Sequence, residues 1–520
     1  MVAVIDPKVT LIDHGPKIIL EDGTTITPDQ LVWAASLITY KDTGVMGELI
    51  ELMKEEDTKE RMVSGLTASA GAGHASLSTS QGLWTYLEGD CSKFVDSMFT
   101  GARFGSSLMP SGRRVPIAED QIVAPRSIKK IGGEAEQLYL ETSQANMQAY
   151  FELQDMGVSK QVASKIVQYG HRGGGLVFFP LETIVSLSLD AQADRGAIPQ
   201  EGLEILAQLE QHIHENGMEV VYEARKAAPR TGCPNPSIFH RRTNLAQEMI
   251  NNDTDGVLHG PSLLSEHYDG SPEMERRVQE YLRKRAELFK NPKDIKRGWR
   301  NILREAEELA IDFDSGVHIK TGTNTPWRVW GEVKRHRTMP HHVESIYHAA
   351  SRAENIVNQP GANPSDFNEV VSMPNSVASD PERRELWLSR FSKSIETYQR
   401  LQQLGIPDSD AIAVIPRGLK LGITKEWGLY NLTTGYMSLR LCHTAEPEMR
   451  ATTEAERELI LGSGNAPAYM SDLLVPKCGY VGFCPDRTHC AEILPFDPTY
   501  DKNRHKKMKI ELGEQIQFNL

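Results

Sequence analysis

The run Glu332-Val333-Lys334-Arg335-His336-Arg337 is the densest group of chemistry-capable side chains in the chain. Two guanidinium groups flank an imidazole, and a carboxylate stands four residues before it. That much positive charge repels itself unless an anion neutralises it. Arginine is the residue for planar, two-pronged recognition of a phosphate, or of a ring bearing several acceptors. A solvated basic turn has the same composition, and residue types alone leave both readings open. The cluster follows the β-prone, aromatic run Thr325-Pro-Trp-Arg-Val-Trp330, so a strand-to-loop passage is expected to carry it.

Other candidate groups are less demanding. Gly65 to Ser80 is rich in small residues but lacks the G-x-x-x-x-G-K-[ST] spacing of a P-loop, so a tight turn is expected there. Gly173-Gly-Gly175 reads as a loop. Cys478, Cys484 and Cys490 are spaced by five residues, with His489 beside the last. This is not the C-x-x-C knuckle of most structural zinc sites. The four residues could hold a zinc ion, or the cysteines could be reduced packing residues. His341, His342 and His348 have no carboxylate at metalloprotease spacing and read as a loop or pocket wall. No arrangement for acyl transfer occurs.

The elements that must position these groups belong to an ordinary globular chain. Its 520 residues are 39% hydrophobic and 24% charged, which suits two or three domains with full cores. A net charge of −13 disfavours broad nucleic-acid binding, because the chain repels a phosphate backbone. Local arginines can still make one pocket positive. Six cysteines are too few for a disulfide scaffold. No apolar run reaches the length of a membrane span, and the opening Met1–Pro16 carries Asp6 and lacks a secretory pattern. A cytoplasmic protein with no membrane partner is expected.

An internal repeat organises the chain. Tyr150-Phe-Glu-Leu-Gln-Asp-Met-Gly-Val158 matches Tyr398-Gln-Arg-Leu-Gln-Gln-Leu-Gly-Ile406 in Tyr, Leu, Gln and Gly, 248 residues apart. Both read as amphipathic helices capped by glycine. Upstream, Arg103 to Ser111 matches Arg337 to Ser345 at both ends, 234 residues apart. The expected organisation is two diverged copies, 1–227 and 228–460, followed by a cysteine-containing extension, 461–520. The junction falls near Ala227–Ser237, where Pro and Gly interrupt a helical pattern. Residues 272–312 read as two charged helices split near Asn291-Pro292, Gln359 to Asp380 as a loop, and Lys502 to Lys509 as a basic run.

Arg335-His336-Arg337 resembles the R-H-R-x-x-S signature of the flavin-dependent thymidylate synthases. The family pattern continues to S-G-R. The second copy departs from it, with Pro340 at the first Ser, Ser345 at the second and no Gly-Arg. The first copy is complementary: Gly101-Ala102 replace Arg-His, but Ser106 and Ser111-Gly112-Arg113 keep the spacing. Gly157-Val158 followed by Lys165 resembles the family's helix-and-base element, as does Gly405-Ile406 followed by Ile415-Pro416. Leu439-Arg440 through Ala445-Glu446-Pro-Glu448-Met449-Arg450 resembles its closing strand-turn-helix, with Glu446 in place of Gln. Val9–His14, Ala34-Ala-Ser and Gly73-His74-Ala-Ser76 resemble its opening strand, first helix and G-H-x-[ST] element.

This resemblance implies an α+β fold, with a mainly antiparallel sheet flanked by helices in each copy. It implies reductive methylation of dUMP to dTMP, with methylenetetrahydrofolate as carbon donor, FAD as cofactor and NADPH as reductant. It implies that Arg335 and Arg440 act at the pyrimidine. Ser111, Gly112, Arg113, Lys165, Glu332, Arg335 and Arg440 would bind the nucleotide. His336, Arg337, Thr338, His74, Ser76 and Asn431 would hold the flavin. The losses in the two copies are complementary, as expected of one composite site, and a homodimer would mimic the family tetramer. Glu332 stands where the family commonly has Gln. That swap, with Pro340 and Glu446, keeps open a related flavoenzyme acting on another uridine nucleotide, and the loss of R-H-R from the first copy keeps open a non-catalytic nucleotide- or flavin-binding scaffold.

Overall fold

The computed structural model describes residues 3–38, 44–52, 57–110, 115–228, 235–253, 256–290, 292–363, 365–481 and 484. Eight strands build its two main sheets: β1 (Pro7–Gly15), β2 (Gly82–Gly89), β3 (Ser106–Leu108), β4 (Gly175–Pro180), β5 (Ser262–Tyr268), β6 (Val317–Pro326), β7 (His341–Val343) and β8 (Lys420–Trp427). The helices that matter below are α1 (Gly133–Asp155), α2 (Leu181–Ala193), α3 (Gln200–Glu215), α4 (Leu245–Asn251), α5 (Pro272–Phe289), α6 (Pro292–Asp312), α7 (Trp327–Val333), α8 (Pro381–Gln403), α9 (Met437–Arg440) and α10 (Pro447–Gly462). This is the expected mixture of helices and antiparallel sheet.

The chain forms two compact units. One comprises 1–242, 345–359 and 385–417; the other comprises 243–344, 360–384 and 418–520. Segments between 345 and 417 are thus divided between the units, so packing does not simply follow chain order.

In the first unit the sheet runs β1-β2-β4-β3, antiparallel at every step. Alternation sets its two faces. Leu83, Leu87, Val177 and Phe179 are buried on one, with α2 and α3 packed beside them. Trp84, Tyr86 and Leu108 stand exposed on the other. Helices α1 and α8 also meet in this unit. Asn146 Nδ2 donates to Ser394 Oγ at 2.9 Å, and the Thr142 and Thr397 hydroxyls lie 2.8 Å apart. Both helices have 23 residues, and their ends are 248 positions apart. Each ends before a left-handed glycine, Gly157 (φ 88°) and Gly405 (φ 86°), a conformation that costs a residue with a Cβ. Gln168 forms an antiparallel bridge with Pro416, again 248 positions on.

In the second unit the order is β5-β6-β8-β7, also antiparallel throughout. The strand order is that of the first sheet. The registers agree as well. Ser106 pairs with Phe178 in the first sheet. Shifting these by 234 and 248 gives Pro340 and Glu426, and Glu426 N donates to Pro340 O at 2.9 Å. Here, however, both sheet faces are covered. Helix α4 lies so close that a Cβ on Gly322 would meet Met249 Sδ at 2.2 Å, and one on Gly422 would meet Ile250 Cγ1 at 2.5 Å. Helix α10 packs on the opposite face.

Some local readings need correction. The Thr325–Trp330 run stays in a strand only to Pro326. From Trp327 it becomes helix α7, whose Trp327, Arg328, Val329, Trp330, Glu332 and Val333 are all buried. Burial on every side overrides the β-preference of its aromatic residues. Gly65–Gly71 closes a helix, Thr58–Gly71, and is not a turn. The loop from 359 to 380 contains two short helical turns, Asp366–Glu369 and Asn375–Ala378. Leu439–Arg450 contains no strand; it runs from α9 through a turn into α10. The charged pair α5 and α6 breaks where expected.

Candidate nucleotide and flavin site

Strand β6 stops at Pro326, whose fixed φ turns the chain into α7. This helix delivers Glu332 inward, and the loop after it carries Arg335, His336, Arg337 and Thr338. Arg335, Arg337 and Thr338 are exposed and His336 is half-buried. From the other direction, β8 leads to a π-helical turn, Asn431–Gly435, and then to α9 with Arg440. Such π turns occur often at functional sites.

These two segments meet through Arg440. Its Nε and Nη2 lie 3.0 Å and 2.7 Å from His336 Nε2. Its Nη1 donates to Glu332 Oε2 at 3.2 Å, and Nη2 to the Glu332 carbonyl at 3.4 Å. The other carboxylate oxygen, Glu332 Oε1, lies 3.6 Å from Arg328 Nη1, one helical turn earlier. The guanidinium is therefore held in one plane before any ligand arrives. The His336 ring accepts from a cation, so it must be neutral at Nε2. Burial foremost, then the Arg440 charge, pushes its pKa down to about 3. Tyr436 packs edge-on against it, with centroids 4.3 Å apart.

Beside this cluster, Thr338 and Asn431 bond each other reciprocally. Thr338 Oγ1 donates to Asn431 Oδ1 and Asn431 Nδ2 to the Thr338 carbonyl, both at 3.0 Å. Two residues expected at the flavin are thereby joined across the same pair of segments. Glu446 serves as N-cap of α10, accepting from Met449 N at 2.8 Å. A carboxylate there suits the helix dipole, which gives the Gln-to-Glu difference a local structural reason.

The remaining expected residues fall elsewhere. Lys165, His74 and Ser76 belong to the first unit. Lys165 is fully buried, whereas His74 and Ser76 are exposed at a helix-to-turn junction. Ser111, Gly112 and Arg113 lie outside the described residues, as do His489 and Cys490. Cys478 and Cys484 are not joined in a disulfide. Among the described residues no group of three or more His, Cys, Asp or Glu side chains could hold a metal ion, and no helix is long and apolar enough to cross a membrane. Ser345 is buried, its hydroxyl donating to the His240 carbonyl. Sequence reading missed Arg328 and Tyr436. The i,i+4 spacing of Arg328 and Glu332 was a usable signal; nothing in the sequence pointed to Tyr436.

Residues 317–462, from β6 to the end of α10, match the family described as thymidylate synthase complementing protein. The flavin-dependent thymidylate synthase of Thermococcus onnurineus is 25% identical over 179 residues, covering 34% of this chain and 68% of the relative. That of Pyrococcus abyssi is 25% identical over 221 residues, covering 42% and 83%. A solved structure of the UMP/dUMP methylase PolB from Streptomyces cacaoi, bound with 5-Br dUMP, aligns over 45% of this chain and all of its own. Its TM-score is 0.33 at 14% identity, a likeness too loose to carry an argument. The matched segment contains every residue of the Arg440 cluster, and over it the chain is similar to the thymidylate synthase complementing protein family.

Proposed function

We propose that the chain is a flavin-dependent thymidylate synthase-like methyltransferase that converts dUMP to dTMP, with methylenetetrahydrofolate as carbon donor, FAD as cofactor and NADPH as reductant. The observation that carries this reading is the Arg440 guanidinium, fixed by Glu332 and His336 inside the segment matched by the family. A fixed guanidinium is suited to charge developing on the oxygens of a pyrimidine ring, since it needs no reorganisation as that charge grows. Arg335, exposed and next in the chain to His336, is proposed as a second cation for the same ring.

The donor set also fits a flavin. Arg337 offers an exposed cation to a pyrophosphate, and Thr338 and Asn431 present polar groups on a reciprocally bonded edge. When bound, the flavin supplies the hydride. The chain's own part is to bind and orient. The neutral His336 keeps its Nε2 lone pair on Arg440 and so is given a holding role rather than proton transfer. Ser111, Gly112, Arg113 and Lys165 are proposed as further nucleotide ligands, His74 and Ser76 as further flavin contacts.

We also infer that the chain is a tandem duplication, with copies at 1–227 and 228–460 and an extension at 461–520. Identical strand orders, matched registers and the paired 23-residue helices support this. So do the contacts of Asn146 with Ser394 and of Gln168 with Pro416, each between positions 248 residues apart. A homodimer is proposed on the same grounds, as is a cytoplasmic location. Zinc binding by Cys478, Cys484, Cys490 and His489 stays a proposal for the extension.

The test is turnover. Purified protein with the visible absorption of oxidised flavin should convert dUMP to dTMP when given methylenetetrahydrofolate and NADPH. Turnover of UMP in preference to dUMP would move the substrate to a ribonucleotide and make Glu332 the first residue to exchange. Colourless protein that turns over neither would leave only a scaffold.

A further inference from the structure

Below the Arg440 cluster lies a second, fully buried polar group. Lys425 of β8 and Glu456 of α10 form an ion pair at 2.8 Å, with side chains 1% and 0% exposed. Glu456 Oε1 also accepts from Thr321 Oγ1 at 2.6 Å, and Thr321 Oγ1 accepts from Trp427 Nε1 at 2.8 Å. The Lys425 ammonium lies 5.6 Å from the Trp427 ring centre and 5.9 Å from that of Tyr436. Burying an ion pair is costly, and such a pair is weak evidence for stability as such. Here it seats two aromatic rings.

Tyr436 is the ring that joins this group to the site. It is fully buried, packs edge-on to Trp427 at 5.1 Å and to His336 at 4.3 Å, and has the Arg440 guanidinium carbon 5.9 Å from its centre. Among the described residues its hydroxyl donates to the Met449 thioether, at 3.6 Å. A buried tyrosine hydroxyl ordinarily finds a stronger acceptor. The ring, not the hydroxyl, is the working part.

We propose that Tyr436 is a positioning residue: its ring, seated on the Lys425–Glu456 pair, holds the His336 imidazole so that Nε2 meets Arg440. The charged and titratable groups facing His336 are Arg440, Glu332 and His341, and its remaining hydrogen bond is to the Gly435 backbone. The inference rests on the nucleotide reading only for what Arg440 binds.

Tyr436→Phe and Tyr436→Leu test it, read by dUMP affinity, flavin content and NMR titration of His336. The Phe variant should bind dUMP within about twofold of wild type. The Leu variant should bind it about tenfold more weakly, keep its flavin, and show a His336 pKa raised from about 3 towards the ordinary 6.5. An unmoved His336 titration in the Leu variant, or a Phe variant as impaired as the Leu one, overturns the proposal. Should wild type bind no dUMP, the nucleotide reading fails by itself and the His336 titration still decides. If the Leu variant does not fold, protein labelled with 3-fluorotyrosine takes its place. The resonance missing from Tyr436→Phe should shift when Arg440 is replaced by Lys; a resonance indifferent to Arg440→Lys overturns the proposal.

Discussion

Arg440 directs two of its nitrogens at a single atom, His336 Nε2, at 3.0 Å and 2.7 Å. That geometry requires a neutral imidazole and gives its protonation a structural cost. The folded-state pKa lies near 3, below the ordinary 6.5. Stability from this contact is fully present above about 6.5 and is lost as pH falls towards 3, because the unfolded chain takes up the proton first. His336→Gln keeps an acceptor for Arg440 but cannot titrate. At pH 5 it should lower the slope of unfolding free energy against pH by about 1.4 kcal/mol per unit. Denaturant melts at several pH values measure this; equal slopes would refute it.

Glu201 should act in the opposite sense. It is buried, with Ser92 donating to its two oxygens at 2.6 Å and 2.5 Å. Burial raises its pKa from 4.5 to about 8. Its proton therefore favours the fold, and that stability is lost as pH rises through 8. Glu201→Gln mimics the protonated form, accepting from Ser92 N–H and donating to Ser92 Oγ. It should be more stable than wild type at pH 9 by on the order of 4 kcal/mol and close to it at pH 4, below the unfolded pKa. Thermal melts at the two values check the sign.

Flavin retention tests the cofactor side of the site. Replacing both His336 and Arg337 by Ala removes a cation and the ring beside Tyr436, and the protein should purify folded and colourless. Circular dichroism confirms the fold and visible absorption reads the flavin. Full flavin retention would place the cofactor elsewhere.

The two proposed copies should differ in nucleotide binding. Arg113→Ala should weaken dUMP binding by about 1.5–3 kcal/mol, the value of a hydrogen bond to a charged group. Ser345→Ala should leave affinity unchanged and lower stability, because the Ser345 hydroxyl is spent on the His240 carbonyl. Arg103→Ala should also spare affinity. Calorimetry at one salt concentration compares the three, and equal losses would mean two equivalent sites.

Assembly gives a simple mass. Light scattering should return twice the 58.0 kDa chain mass. An active species at the chain mass itself would contradict the dimer.

Periodicity and short motifs in the sequence carried far. The helix repeat at Tyr150 and Tyr398 gave the 248-residue offset that recurs in α1 and α8, and the Arg103–Arg337 match gave an offset the sheet registers respect. Such signals survive because a glycine cap and an amphipathic face are local requirements, met within a few turns of chain. Arg335-His336-Arg337 and Arg440 were legible for the same reason: their types and spacing are unusual wherever they lie. The fold alone makes Glu332, His336 and Arg440 grip one another, since 104 residues separate the last two. It also decided that the aromatic run after Pro326 is helical, because burial on every side outweighs strand preference. Tyr436, Lys425 and Glu456 left no trace in the sequence. A tyrosine, a lysine and a glutamate at long separation become a device only when the fold closes water out around them, and burial is a property of the fold rather than of any residue.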